Sequence, residues 1–142
     1  MNRFCVSFAS ILCFALTSFC AYDWEPYPQK AALMLVTAHA DDEGIFFGGS
    51  IAYYAAVKKL PVIVVCMTHS SGDNRANELR CAVWNYGCRY EPIFAGFGDC
   101  CYQKDLQCCW TCWGGKERAV GFVVEKIRQY KPDVVLCHDL GG

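Results

Sequence analysis

Apolar residues along this chain fall into short blocks separated by segments rich in Pro, Gly, Asp and Asn. Residues 31–37 (Ala-Ala-Leu-Met-Leu-Val-Thr) and 62–67 (Val-Ile-Val-Val-Cys-Met) are too short for ordinary helices. They show no alternation, which is the pattern of strands covered on both faces of a parallel sheet. Two more strands are expected at about 90–95 and at Val134–Cys137. Between them the period changes. A long loop leaves the first strand at His39 and passes Gly44 to reach Gly48-Gly49-Ser50, and a helix is predicted over 51–57, closing near Lys58-Lys59, where cations suit the dipole. A second helix is predicted from Arg75 to about Tyr86, capped by Asp73 or Asn74 and stopped by Gly87. A third spans Lys116–Tyr130, with Ala119, Val120, Val123, Val124 and Ile127 on one stripe. Strands alternating with helices imply right-handed βαβ units. The expected fold class is α/β: a Rossmann-like parallel sheet with helices on both faces, in the order 3-2-1-4, incomplete at the C-terminus.

Two stretches escape this rhythm. Residues 99–113 contain Cys-Cys and Cys-Cys-Trp-Thr-Cys with no dependable period, so a cysteine-rich inserted loop is expected there. Residues 1–20 pair Arg3 with an apolar run from about Phe4 to Phe19, which is short for a membrane span and has small residues around a possible cut after Cys20. A secretory signal peptide is the reading, followed by one domain over 21–142, with secretion or a periplasmic location and no stable membrane span after cleavage. Leu12 and Phe19 stand before Cys13 and Cys20, which does not suit a lipoprotein signal.

Composition narrows the partners. The formal charge of −1 over 142 residues gives no reason to expect nucleic acid. Of twelve cysteines, three lie in the signal segment, leaving an odd set of nine: Cys66, Cys81, Cys88, Cys100, Cys101, Cys108, Cys109, Cys112 and Cys137. In an exported chain, disulfides pinning the insert are expected. Cys109-Trp110-Thr111-Cys112 also has Cys-x-x-Cys spacing, but a single pair without a matching second one is weak support for a zinc or redox site.

The chemistry concentrates where the first strand ends. His39-Ala40-Asp41-Asp42-Glu43 puts one imidazole and three carboxylates within five residues, more charge than a site buries without a cation. A divalent metal would supply it. The simpler reading is an acidic helix N-terminus, favoured by the dipole.

His39-Ala40-Asp41-Asp42-Glu43, the later Gly48-Gly49, and Arg75-Ala76-Asn77-Glu78-Leu79 resemble the LmbE/PIG-L family of zinc-dependent N-acetylglucosaminyl deacetylases, which usually has Pro where this chain has Ala40. The resemblance implies a Zn2+ (or another divalent metal) cofactor and an N-acetylated amino sugar or glycoconjugate as substrate. By that resemblance His39 and Asp42 are metal ligands, Asp41 is the general base, and Arg75 and Asp99 lie near substrate hydroxyls. Glu43 is expected to orient His39 or cap the following helix. Arg75 could equally form a surface pair with Glu78, and Asp99 could be a turn residue. The family's third ligand lies in a Gly-His-x-x-His-type segment beyond the strand ending at Cys137, so the chain is expected to be a truncated member. With strands one and four adjacent, His138 should emerge beside His39 and support the metal from the outer shell, while His69 faces the same rim. The rival expectation is a catalytically incomplete fragment or carbohydrate-binding module; a cysteine-rich redox or metal-storage protein is weaker.

Overall fold

The computed structural model describes residues 22–69, 72–99 and 105–138, so the 1–20 signal reading, Cys100 and Cys101 lie outside the described residues. Four parallel strands form one sheet: β1 (Leu33–Thr37), β2 (Val62–Cys66), β3 (Ile93–Phe94) and β4 (Val134–Cys137), in the order β3-β2-β1-β4. Leu33 is level with both Val62 and Val134, and Val36 with both Val65 and Cys137. The carboxyl ends of β1 and β4 therefore lie side by side, which brings His39 and His138 to the same edge.

Side-chain alternation divides β1 and β2 between two cores. Leu33, Leu35, Val62 and Val64 pack with Ile51, Leu79 and Val83 on one face. Met34, Ile63 and Val65 pack with Phe97, Ala119 and Tyr130 on the other. All five residues of β2 are buried, which explains its unbroken apolar sequence. The expected parallel sheet with both faces covered is present.

Helix α1 (Asp42–Ala52) begins nine residues earlier than the glycine-rich sequence suggests, directly after Asp41. Its early start has a packing reason: Tyr86 lies over the glycine stripe, and Cβ atoms at Gly44 and Gly48 would stand 2.9 and 3.4 Å from the Tyr86 hydroxyl. The glycines clear a groove for the phenol and do not unwind the helix. A single wide π turn, Tyr53–Val57, follows before Lys58-Lys59 ends the segment. Helix α2 (Asn74–Asn85) is capped by Asp73, whose carboxylate accepts the Ala76 N–H at 2.7 Å. Gly87 stops the chain's helical course at φ +87°, where a Cβ would stand 2.9 Å from that of Ala56.

The insert is not wholly a loop. Helix α3 (Leu106–Cys112) forms there, with Asp105 accepting the Gln107 N–H at 2.9 Å. Trp110 and Trp113, three residues apart, lean against the second core and supply the apolar face that the run of cysteines obscures. Helix α4 (Lys116–Tyr130) runs as expected. The third strand is only two residues long, because 90–92 does not pair in the sheet.

Candidate functional site

The edge above β1 is assembled by local backbone bonds. The Ala38 carbonyl accepts both the Thr68 N–H at 3.0 Å and the Thr68 hydroxyl at 2.7 Å, locking the loop after β1 to the loop after β2. Beyond Ala38 the chain turns into α1, and the His39 backbone N–H donates to Asp42 Oδ2 at 2.8 Å. The same oxygen lies 3.6 Å from His39 Nδ1 and 3.2 Å from His138 Nε2. His138 Nε2 is buried but not aligned for a hydrogen bond with any group. Phe46 and Phe47 hold the ring edge-on, with centroids 5.0 and 5.5 Å away.

Asp41 points elsewhere. Its Oδ2 accepts from Arg75 Nη2 at 2.7 Å, while Arg75 Nη1 reaches Glu78 at 3.0 Å. The hydrogen bond that Arg75 donates to Asp41 is the largest influence raising the arginine's pKa. Arg75 thus forms the helix-face pair with Glu78 and also reaches the catalytic candidate. Asp99 Oδ1 is 3.2 Å from His39 Nε2, so the imidazole is addressed by a carboxylate at each nitrogen. Glu43 turns inward, 3 % exposed, with Oε2 lacking a hydrogen-bond partner, and burial pushes its carboxyl pKa up. His69 pairs with Asp73 at 3.2 Å and its ring lies 6.4 Å from that of His39.

Two hollows flank His39. One, about 330 Å³, is lined by Ala38, Asp42, Phe46 and His138. The other, about 180 Å³, is lined by Thr68, Gly98, Asp99, Cys109 and Trp113. Sequence reasoning missed Phe46, Thr68, Cys109 and Trp113. Phe46, four residues beyond Asp42 on a helix, was legible once the helix start was known; Trp113 was hidden in the insert.

Among the described residues, no group of three or more His, Cys, Asp or Glu side chains already forms a metal cage. The donors nevertheless suit one. Two atoms each about 2.0–2.1 Å from a tetrahedral zinc stand about 3.3–3.4 Å apart. The 3.2 and 3.6 Å separations around Asp42 Oδ2 bracket that value, and the partnerless His138 nitrogen faces the same oxygen. Nitrogen and oxygen donors of this kind fit a divalent cation after a small convergence.

Known proteins are similar to this chain in sequence or in fold. A deacetylase from Mycolicibacterium smegmatis, named for 1D-myo-inositol 2-acetamido-2-deoxy-alpha-D-glucopyranoside, is 27% identical over 141 residues, covering 80% of this chain and 48% of its own. The conserved protein TT1542 from Thermus thermophilus superposes with a TM-score of 0.51 at 22% identity, covering 74% of this chain and 45% of its own. GalB, the 4-carboxy-2-hydroxymuconate hydratase of Pseudomonas putida, gives 0.53 at 22% identity, covering 78% and 48%. The chain spans about half the length of these relatives. At 22% identity the two structures establish the fold alone. The sequence profile described as PIG-L, GlcNAc-PI de-N-acetylase, matches residues 34–142, from the first strand through the His39 loop to the last residue, and the chain belongs to that family.

Proposed function

We propose that this chain carries the cation-binding edge of an amide hydrolase that removes the N-acetyl group of an amino sugar or glycoconjugate. The observation that carries the reading is the gathering of His39 and His138 around one oxygen of Asp42, with the neighbouring residue Asp41 paired to Arg75, in a chain of the PIG-L family. The acetamido sugar named for the mycobacterial relative supports the substrate class.

His39 and Asp42 would hold the cation, with His138 packed against its position. A divalent cation bound there supplies Lewis-acid polarisation of the amide carbonyl and acidifies water. Asp41 serves as general base, accepting the water proton. Its pairing with Arg75 through Oδ2 fixes its direction, leaving Oδ1 to take the proton. In the balanced reaction the water's hydroxyl ends on the acetyl carbon, the C–N bond breaks, and the proton carried by Asp41 matches the one gained by the amine. The 330 Å³ hollow, walled by Phe46, offers an apolar seat for an acetyl methyl.

The test is acetate release from N-acetylglucosamine and its glycoconjugates by the zinc-loaded protein. Asp41→Asn should lower kcat by about 10²–10⁴ while zinc stays bound, and His39→Ala should release the metal. Zinc bound without acetate release, alongside saturable sugar binding, would instead establish the binding-module reading. Zinc that survives His39→Ala and is lost with Cys109 and Cys112 would move the metal to the insert.

We also propose that residues 1–20 direct export. The disulfide at Cys112 suits an oxidising compartment, and no helix among the described residues is long and apolar enough to cross a membrane. N-terminal sequencing of the exported protein decides it: a chain starting at Met1 overturns the proposal.

A further inference from the structure

Among the described residues of the cysteine-rich insert, Trp113 and Cys109 line the hollow beside His39. Trp113, at the end of α3, donates its indole N–H to the Gly98 carbonyl at 2.9 Å. Its ring stacks on Phe97 with centroids 5.0 Å apart and planes 18° apart, and the Arg118 guanidinium lies 5.4 Å from the same phenylalanine ring. Upstream, the Phe97 N–H donates to the Met67 carbonyl at 3.0 Å, tying the segment to the end of β2. Gly98 is thus held between a backbone bond on one side and the indole on the other. The next residue is Asp99, whose carboxylate meets His39 Nε2 at 3.2 Å.

That contact has a chemical consequence. A neutral imidazole has one N–H, and an ionised carboxylate can only accept. The 3.2 Å contact at Nε2 is within hydrogen-bond reach, whereas the 3.6 Å separation between Nδ1 and Asp42 is not. The proton therefore belongs on Nε2, and the Nδ1 lone pair is left facing Asp42, where a cation would sit. The geometry points to a positioning role for Trp113: through Gly98 and Asp99 it sets the tautomer and orientation of His39. The insert, which the deacetylase reading leaves without work, becomes the clamp on this ligand, and the disulfide at Cys112 anchors the residue next to the indole. The tautomer stands on the contacts alone. Its effect on metal affinity rests on the proposed function.

The experiment uses protein labelled with 15N-histidine, without added metal, at a pH well above the imidazole range, with ring shifts assigned through His69→Gln and His138→Gln. In the parent, His39 should be the Nε2–H tautomer. Asp99→Ala should convert it to a mixture, and Trp113→Phe, which keeps the stacking but loses the donor, should move it part of the way. Zinc affinity, read by competition with a chromophoric chelator, should fall about 10–100-fold for Asp99→Ala and about 10-fold for Trp113→Phe. The double variant should be no weaker than Asp99→Ala, because both changes act through one contact. A parent His39 protonated at Nδ1 overturns the proposal. So does a folded Trp113→Phe with parental tautomer and zinc affinity, and if that variant does not fold, an unchanged tautomer in Asp99→Ala overturns it on its own. A parent that binds no zinc but shows the expected tautomer, with the expected responses of both variants, removes the deacetylase reading and leaves the clamp in place.

Discussion

Gly44→Ala tests whether α1 is seated by a steric groove. Gly44 lies in the first turn of α1, two residues after Asp42, and its backbone is ordinary helix. On propensity alone, alanine should stabilise the helix by about 0.5–1 kcal/mol. The added Cβ, however, would stand 2.9 Å from the Tyr86 hydroxyl. That is closer than real Cβ contacts come, so the phenol ring must shift to make room for the methyl. Overpacking of this kind costs about 1–3 kcal/mol, so Gly44→Ala should destabilise the protein by about 1–2 kcal/mol net of the propensity gain. In a Tyr86→Phe background the offending oxygen is gone, and the same substitution should stabilise by about 0.5 kcal/mol or more. Urea unfolding of the four proteins of the cycle, at constant m-value, measures the coupling. An equal effect of Gly44→Ala in both backgrounds would refute the groove.

Removing the cap of α2 by Asp73→Ala should cost about 1 kcal/mol in the same assay, because the Ala76 N–H loses its 2.7 Å acceptor; no loss would mean that water replaces the cap. In the native protein a thiol reagent should modify the exposed Cys81 and Cys137 rapidly, and the buried Cys66 and Cys88 only after denaturation. Burial pushes both of those thiols up to about 12 from 9.0. Between those values the unfolded chain loses the protons first, so stability should fall as pH rises, by up to about 1.4 kcal/mol per pH unit for each thiol. Alanine at both positions should flatten this part of the unfolding-pH profile relative to the parent, and parallel profiles would show that the thiols are not buried as described.

The structural likeness to GalB, named as a hydratase, sets a limit on what the sheet can say about reaction type. The functional reading rests instead on the side chains at the carboxyl edge. His39 and Asp42 stand three residues apart in sequence, but Arg75, Asp99 and His138 arrive on three other segments, and each makes a specific contact there.

The chain's local chemistry was enough to establish much of this. Unbroken apolar runs marked β1 and β2, because strands buried on both faces have no polar side to alternate with. Asp73 and Gly87 marked the ends of α2 through capping and a positive φ, which are properties of single residues. Strand order followed from βαβ handedness, and with it the meeting of His39 and His138. Tertiary structure alone decided the rest. Gly44 and Gly48 suggested a loop until Tyr86, some forty residues on, was seen to need the space they leave. The period of α3 emerged only when Trp110 and Trp113 had a core to lean on. The partners of Arg75 and Asp99 were not legible either: a long or turn-borne side chain can pair with a sequence neighbour or reach across the fold, and which contact forms depends on distances that only the packed sheet sets.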